Sequence, residues 1–553
     1  MMMDERIRYT VIPQRVVLTR GNAQNPEILL AERELQATME GEGAASLTGK
    51  GAGILLDFGR EMHGLVQLAT YWVGTESKRI RVRISLGESV TEALSQVGEK
   101  NATNDHALRD GVYDVGFLST VSTGESGFRF AFLQLLEEGS LQIKSVRAVA
   151  IQRDLPLRGS FRCSDPLLDE IWQVAVRTVH LNMQEYLWDG IKRDRLIWVG
   201  DMHTEVLSIL AAFGEVSLVE KSLAVMERVV DKGNGYMNTM FTYSMWWVMI
   251  RYELYMATAD LGPVERNRAY LCRMMQRFLE MPEATGSGIS KEALFLDWPT
   301  YENKEISSAG ITGVLRLTLW QGATLLRAIG EESLAEACEG AAERMAECCH
   351  PDPKGSKAAG AFLTLAGLLP KEEAAALLTR DGAAGYSTFL GYYLLKAAAG
   401  AAGTDAALDA IRSYWGGMLK MGATSFWEDF DLEWMKNASP IDRLPKEGEG
   451  DIHGDNGRHC YVGFRHSLCH GWASGPCPFL MHHVLGIEIL EPGMKTLRLT
   501  PHLGSLTFAE GSFPTPMGDV WVRYERGPDG KLHTEIRSPE GVRIEGALEE
   551  PAL

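Results

Sequence analysis

The hydrophobic period of the chain changes twice, and these two changes restrict the fold more than any other feature. Up to about residue 155 apolar and polar residues alternate in short runs: GILLDFGR (53–60), GLVQLATYWV (64–73), RIRVRISLGES (79–89) and SLQIKSVRAVAIQR (140–153), with Gly-rich turns between them. A period of two belongs to strands that bury one face, so this region reads as an antiparallel sandwich. Near Asp165 the period lengthens to three or four. Ser164 or Asp165 supplies an N-cap, Pro166 falls in the first turn, and apolar residues recur at helical spacing. Helical segments then follow near 166–186, 202–213, 215–231, 243–261, 263–279, 308–329, 332–349, 356–368, 371–379, 386–400, 404–419 and 474–485. About twelve helices in series, joined by loops of varied length, suit a toroid of six helical hairpins, an (α/α)6 barrel, better than a four-helix bundle. No fixed-period repeat supports a solenoid. After about residue 486 the alternation returns, with Pro528-Asp529-Gly530 as a hairpin signal. The expected organisation is an N-terminal β-sandwich domain (1–155), a central (α/α)6 domain (156–485) and a C-terminal antiparallel β-domain (486–553).

A length of 553 residues exceeds one ordinary core. The first residues, MMMDERIRYTVIPQRVVLTRG, hold no signal-peptide core, and no run of eighteen apolar residues follows, so a cytoplasmic protein is expected. Cysteines at 163, 272, 338, 348, 349, 460, 469 and 477 form no CxxC pair and read as reduced, buried thiols. A net charge of -18 argues against nucleic acid or an anionic membrane as partner and is neutral about an uncharged carbohydrate. No P-loop, no GxGxxG after a strand and no GxSxG elbow occurs, which disfavours nucleotide and serine-hydrolase chemistry.

The unusual side chains lie between the helices. WDGIKRDRLIWVGDMHTE (188–205) gathers four carboxylates, three cations and two indoles. Asp189, Asp194 and Asp201 stand among Lys192, Arg193 and Arg195, with Trp188 and Trp198 offering flat apolar faces. Charged groups that bind hydroxyls beside indoles that cover C–H faces make a pocket for a neutral polyol such as a sugar. The competing reading is a solvated charged loop in which Asp201 is merely a helix N-cap. A second cluster, GATSFWEDFDLEW (422–434), sets Trp427 and Trp434 about Glu428. Glycoside hydrolysis needs two carboxyl groups, here from different loops, and Glu428 is the second. Trp246 and Trp247, inside SMWWVMIRYELY, read more naturally as core. DIHGDNGRHCY (451–461) offers Asp451, His453, Asp455 and His459 at no zinc spacing, and reads as a Gly-rich loop with local hydrogen bonds. His466 and His470 lack a third ligand nearby. No metal and no cofactor is expected.

These residues closely resemble the signature of bacterial α-L-rhamnosidases, glycoside hydrolase family 78, in which an Asp precedes an Arg-Asp-Glu-Arg-Leu run followed by Trp and Gly-Asp. The counterparts here are Asp189, Arg193-Asp194-Arg195-Leu196, Trp198 and Gly200-Asp201. The family's general-acid Glu is missing from this copy. LLDFGREMHGLVQL and GFRFAFLQLL (127–136) resemble the family's N-terminal β-domain, and the LxPHLG and EGSxPTPxG pattern at 498–518 resembles its C-terminal domain, so the resemblance covers nearly the whole chain. It implies that Glu428 is the general base, that His470 in HSLCHGWASGP (466–476) lines the sugar pocket, and that Trp247, Asp297 and Trp298 supply further stacking and hydroxyl-binding groups. Asp189, Arg193, Asp194, Trp198, Asp201 and Trp427 complete the sugar-holding set, with Glu302 beside them. The proton donor is left open: Asp194, whose basic neighbours oppose an acid role unless burial outweighs them, or Glu205, or Glu302. The implied activity is inverting removal of a terminal α-L-rhamnose or similar sugar from a small glycoside or oligosaccharide. A related glycosidase of different specificity, or a carbohydrate-binding or sensing protein without turnover, is the alternative. The oligomeric state stays open, a homo-oligomer included.

Overall fold

The computed structural model describes residues 5–36, 43–290, 292 and 294–546. The chain divides into two compact units that do not follow chain order. The first comprises residues 1–154, 180–196 and 418–470; the second comprises 155–179, 197–417 and 471–553.

In the first unit the expected strands form. They are β1 (Arg6–Val11), β2 (Arg15–Gln24), β3 (Ala45–Val73), β4 (Arg79–Gly87), β5 (Asp110–Gly116), β6 (Thr120–Ser122), β7 (Ser126–Leu135) and β8 (Ser140–Arg153). They pair antiparallel in the order β1-β8-β3-β7-β4-β5, with β2 and β6 also on β3. β3 is 29 residues long and bends, which lets one strand serve two stretches of sheet. Its register against β7 shifts between Asp57 and Met62, where Gly59 takes φ 88°, a left-handed conformation that glycine adopts at no steric cost. The bend is pinned electrostatically: Arg129 forks onto the buried Asp57 carboxylate at 2.8 and 3.0 Å, and Arg15 adds a contact at 2.9 Å. Alternate residues of these strands, among them Ile54, Leu56, Val66, Leu68, Val82, Ile84, Leu133 and Ile143, make one apolar core.

The second unit is helical, with sheets at its chain ends. Two kinds of helix alternate along it. Val199–Ala212, Phe241–Thr258, Lys304–Ala328, Lys357–Leu365 and Gly391–Ala402 are buried over most of their length. Ser217–Val229, Arg268–Leu279, Glu332–Cys348 and Lys371–Thr379 bury only one stripe. Each buried helix packs on the next: 199–212 on 241–258, 241–258 on 304–328, 304–328 on 357–365, and 357–365 on 391–402. Strands Phe508–Thr515, Gly518–Arg526 and Leu532–Arg537 form an antiparallel sheet that also takes Ser160–Cys163, the strand just before the first long helix. The Pro528-Asp529-Gly530 turn joins two of these strands as expected, with Gly530 at φ 79°. None of the eight cysteines forms a disulfide. Among the described residues no helix is long and apolar enough to cross a membrane.

Candidate active site

Three segments meet in the first unit: the 189–196 loop, residues 425–428 and residues 466–470. The loop closes on itself through Asp189, whose Oδ1 accepts the Leu196 N–H at 2.8 Å while its own N–H donates to the Leu196 carbonyl at 3.1 Å. Gly190 bridges to His470, and a Cβ at Gly190 would lie 3.2 Å from His470 Nδ1. Close approach is therefore what a glycine provides here. At the loop tip Asp194 and Arg195 take φ values of 56° and 55°, a left-handed pair that costs non-glycine residues on the order of 1–3 kcal/mol each. The Asp194 N–H donates to His106 Nδ1 at 2.7 Å, and Arg195 lies over the Trp188 ring at 4.5 Å, which together hold the tip.

Residues 425–428 run beside 467–470: the Glu428 N–H donates to the Ser467 carbonyl at 2.9 Å, and the His470 N–H donates to the Phe426 carbonyl at 3.0 Å. This pairing carries the Glu428 carboxylate into a buried position. Its Oε2 accepts the Ser467 N–H at 3.0 Å, its Oε1 is in close contact with Arg193 Nη2, and His470 Nδ1 lies 3.9 Å away. Burial alone would push the Glu428 carboxyl up. The Arg193 guanidinium, with the His470 and His466 imidazoles, outweighs burial and holds its pKa at about 2. Arg193 also donates through Nη1 to Asp194 Oδ1 at 2.9 Å. One guanidinium thus spans two carboxylates, the buried Glu428 and the partly exposed Asp194. His106 Nδ1 lies 3.2 Å from Asp194 Oδ1. Trp427 packs edge-on against Phe430 and His466, so its ring is wall and not open platform.

A buried charge cluster stands behind this pair. Lys192 Nζ lies 2.9 Å from Glu88 Oε2 and 3.1 Å from Glu92 Oε1, and it donates to the carbonyls of Phe464 at 3.0 Å and His466 at 2.6 Å. Glu88 in turn accepts the Leu468 N–H at 2.6 Å. Burial pushes the Glu88 carboxyl up, Lys192 pulls it back and Glu92 adds to the rise, leaving it at about 7. The same two carboxylates overcome burial and keep Lys192 charged. Glu88, Glu92 and His453 have metal-ligating proximity, but the ammonium already sits on both carboxylates. The 451–456 loop is held by local bonds: the Asp451 N–H donates to Asp455 Oδ2 at 2.9 Å and the His453 N–H donates to Asp451 Oδ1 at 3.1 Å. His453 is turned elsewhere, with Nε2 3.0 Å from the His466 carbonyl.

The remaining expected residues belong to the second unit. Trp198 is the N-cap of helix 199–212 and offers no side-chain cap; Asp201 lies inside the first turn and accepts the Tyr243 hydroxyl at 3.1 Å. The N-cap reading of Asp201 is thereby corrected: its carboxylate complements the helix dipole and binds a side chain. Gly200 is required by Tyr243, since a Cβ would come within 2.3 Å of that ring. Trp198, Tyr243, Phe295, Trp298 and Tyr301 form a chain of edge-to-face rings. Trp298 lines a cavity of about 260 Å³ with Phe295, Tyr301, Tyr236 and Phe241. Asp297 caps the short helix Trp298–Tyr301 by accepting the Thr300 N–H at 3.0 Å, and Glu302 is exposed at that helix's end. Glu205 is fully buried, with its carboxylate against Gly471. Trp247 is a core residue: it is 0% exposed, its indole N–H donates to Glu227 at 2.9 Å, and its ring meets Tyr270, so its assignment to a sugar contact is withdrawn. The solvated-loop reading of 189–195 fails as well, because Asp189, Lys192 and Arg193 are only 3, 5 and 4% exposed.

Sequence reasoning missed His106, the Ser467 N–H and the Glu88–Glu92 pair. Only the last had a local signal, a Ser-x-x-Glu capping spacing at Ser89–Glu92; Ser89 Oγ indeed accepts the Glu92 N–H at 3.1 Å.

Residues 156–319 match the model of the bacterial α-L-rhamnosidase six-hairpin glycosidase domain, and residues 486–551 match that of the bacterial α-L-rhamnosidase C-terminal domain. Among solved structures, the fold is similar to a family 78 rhamnosidase of Bacillus sp. GL1, with a TM-score of 0.73 and 20% identity over 94% of this chain and 55% of that one. It is similar to a rhamnosidase from Klebsiella oxytoca with rhamnose bound, with a TM-score of 0.67 and 19% identity over 86% of this chain and 96% of that one. It is also similar to the Streptomyces avermitilis α-L-rhamnosidase complexed with L-rhamnose, with a TM-score of 0.67 and 16% identity over 91% of this chain and 49% of that one. The chain spans about half the length of the Bacillus and Streptomyces proteins. No curated protein sequence matches it. The six-hairpin and C-terminal domain models of the bacterial α-L-rhamnosidases thus match in order along this chain, together over less than half of it, and the fold is shared with solved rhamnosidases.

Proposed function

We propose that the protein hydrolyses a terminal α-L-rhamnoside, or a glycoside of a similar sugar, with inversion, Glu428 acting as base and Asp194 as acid. The observation that carries this reading is the Arg193 guanidinium spanning the two carboxylates. An inverting pair needs room for a water and the anomeric carbon, roughly 6.5–9.5 Å between carboxyl groups. The guanidinium lies between the two carboxylates, where an incoming sugar would take its place against the same groups. Asp194 supports the acid role over Glu205 because it is partly exposed and beside Arg193, whereas Glu205 is fully buried. His470, Arg193 and Asp189 shape the pocket. The alternation of buried and one-sided helices in the second unit supports the (α/α)6 reading of residues 156–485, with β-domains proposed at 1–155 and 486–553. Eight free thiols support a reducing, cytoplasmic setting.

On a rhamnoside with a poor leaving group, Asp194→Asn should lower kcat by roughly 10²–10⁴-fold, and by much less on an activated aryl rhamnoside whose leaving group needs no proton. Glu205→Gln should show no such dependence on the leaving group. A leaving-group effect at 205 and none at 194 would transfer the acid role. Should neither glycoside turn over while L-rhamnose still raises the melting temperature, the protein is a sugar-binding one.

The base also sets the shape of the pH profile. In the free protein the Glu428 pKa is depressed to about 2, so kcat/KM should persist as pH falls below the ordinary glutamate value of about 4.5. Sugar binding draws Arg193 off the carboxylate, which raises its pKa and makes it a better base. The acid limb of kcat, which reports the complex, should therefore lie at higher pH than that of kcat/KM. Coincident limbs would mean that Arg193 stays in place.

A further inference from the structure

We infer that the second unit carries a further binding groove for a neutral oligosaccharide, built around the exposed indole of Trp320. The groove holds about 510 Å³, within the roughly 300–1,000 Å³ of small-ligand pockets, and shares no residue with the Arg193–Glu428 centre. Trp320 is 64% exposed on helix 304–328, whereas Trp246, Trp247, Trp415 and Trp427 are among the largest fully buried side chains. An indole left in water at the edge of a concavity costs apolar hydration that core burial would have removed. It is the surface that a pyranose C–H face covers.

The next residue supplies a polar counterpart. The Gln321 amide oxygen is shielded from solvent and meets no donor among the described residues, an arrangement that leaves a desolvated acceptor in the groove wall. A ligand hydroxyl satisfies it. The remaining polar groups carry both signs and little fixed charge: Glu253 faces Lys396, with Glu488 alongside, and His482 and His483 complete the wall. Burial holds the two imidazoles neutral near pH 7, lowering their pKa values to about 4 and about 3. Each commits one ring nitrogen, His482 Nδ1 at 2.8 Å from the Ile487 carbonyl and His483 Nε2 at 3.0 Å from Thr404 Oγ1. Burial lifts the Glu253 carboxyl to about 7 against the pull of Lys396, so it both donates and accepts around neutrality. A single ammonium among two carboxylates does not make an anion site, and so polar a wall does not suit a lipid.

The groove does not depend on the catalytic reading, and its test reads binding in place of turnover. The intact protein would be titrated with maltotriose, cellotriose, mannotriose and xylotriose, and separately with inorganic phosphate, following tryptophan fluorescence and melting temperature. At least one saccharide should bind at millimolar concentration or below. Trp320→Ala should weaken that binding tenfold or more, Gln321→Leu should weaken it several-fold, and Glu428→Gln should leave it unchanged. Trp320 lies at the surface, so its substitution should leave the unliganded melting temperature within a degree or two. Binding that survives Trp320→Ala, binding of phosphate alone, or no binding by any of the four saccharides would overturn the inference.

Discussion

Glu428→Gln should reduce hydrolysis of an activated aryl α-L-rhamnoside by roughly 10²–10⁴-fold in kcat, the contribution of a positioned general base, while the purified protein remains folded. Gln fills the same space and still accepts the Ser467 N–H, so the alignment of 425–428 with 467–470 survives. What is lost is the charge that polarises water, together with the partner of Arg193. That guanidinium keeps Asp194 and the Arg465 carbonyl, which limits the damage. The stability change should follow pH in a defined direction. A carboxylate depressed from 4.5 to about 2 contributes roughly 3 kcal/mol that is present above pH 4.5 and lost as pH falls toward 2. The melting temperatures of wild type and Glu428→Gln should therefore differ most near neutrality and converge in acid. Full activity in the variant would remove Glu428 from the chemistry. A loss of activity matched by unfolding would make it structural.

The helical region could be read from sequence because its information is local. The long helices found between Pro166 and Lys420 begin and end within about five residues of the segments read from apolar spacing, and the strands at 53–73, 79–87 and 140–153 announce themselves by alternation. The burial of Glu428 beside Trp427 follows the sequence signal too, since an indole beside a carboxylate in a loop is chemically costly without a purpose. Burial in the DGIKRDR stretch was not legible. Its composition is that of a solvated turn, and only contacts from residues about 100 positions earlier and 235 positions later, Glu92 and Glu428, show that Lys192 and Arg193 are internal. Lys192 and Arg193 are neighbours in sequence and were expected to act together on Asp194. They point to different partners, Lys192 to Glu88 and Glu92, Arg193 to Asp194 and Glu428. Spacing carries no sign of such a division. Trp247 shows the converse: its place in an unbroken apolar helix was the better guide, and a family position was the poorer one.

Lys192→Met should destabilise the first unit by roughly 3–5 kcal/mol, the usual result of removing one partner from a buried ion cluster, or about 6–20 °C in that unit's unfolding midpoint. Met matches the stem of Lys but offers nothing to Glu88 and Glu92, both of which are fully buried. It also releases the carbonyls of Phe464 and His466, which Lys192 ties to Glu88, just past the end of β4. Without the ammonium the Glu88 carboxyl rises further above its unfolded value. A raised carboxyl favours the folded state only while protonated, so the variant should lose stability as pH climbs above about 4.5 and regain it on acidification. Wild type, with Glu88 at about 7, should lose stability over the same range only as far as that pH, and the variant should go on losing it above. Activity should respond as well, because Ser467 sits between His466 and Leu468, and both of these are anchored by the cluster. Once that anchor is gone, the Ser467 N–H no longer fixes Glu428 Oε2, and kcat should fall while KM for the sugar, set largely by other contacts, moves less. Adding Glu88→Gln and Glu92→Gln to Lys192→Met removes the orphaned charges; much of the stability should then return without the lost kcat. Recovery of both together would show that the cluster supports folding alone, and no loss of stability in Lys192→Met would show that water already reaches the two carboxylates.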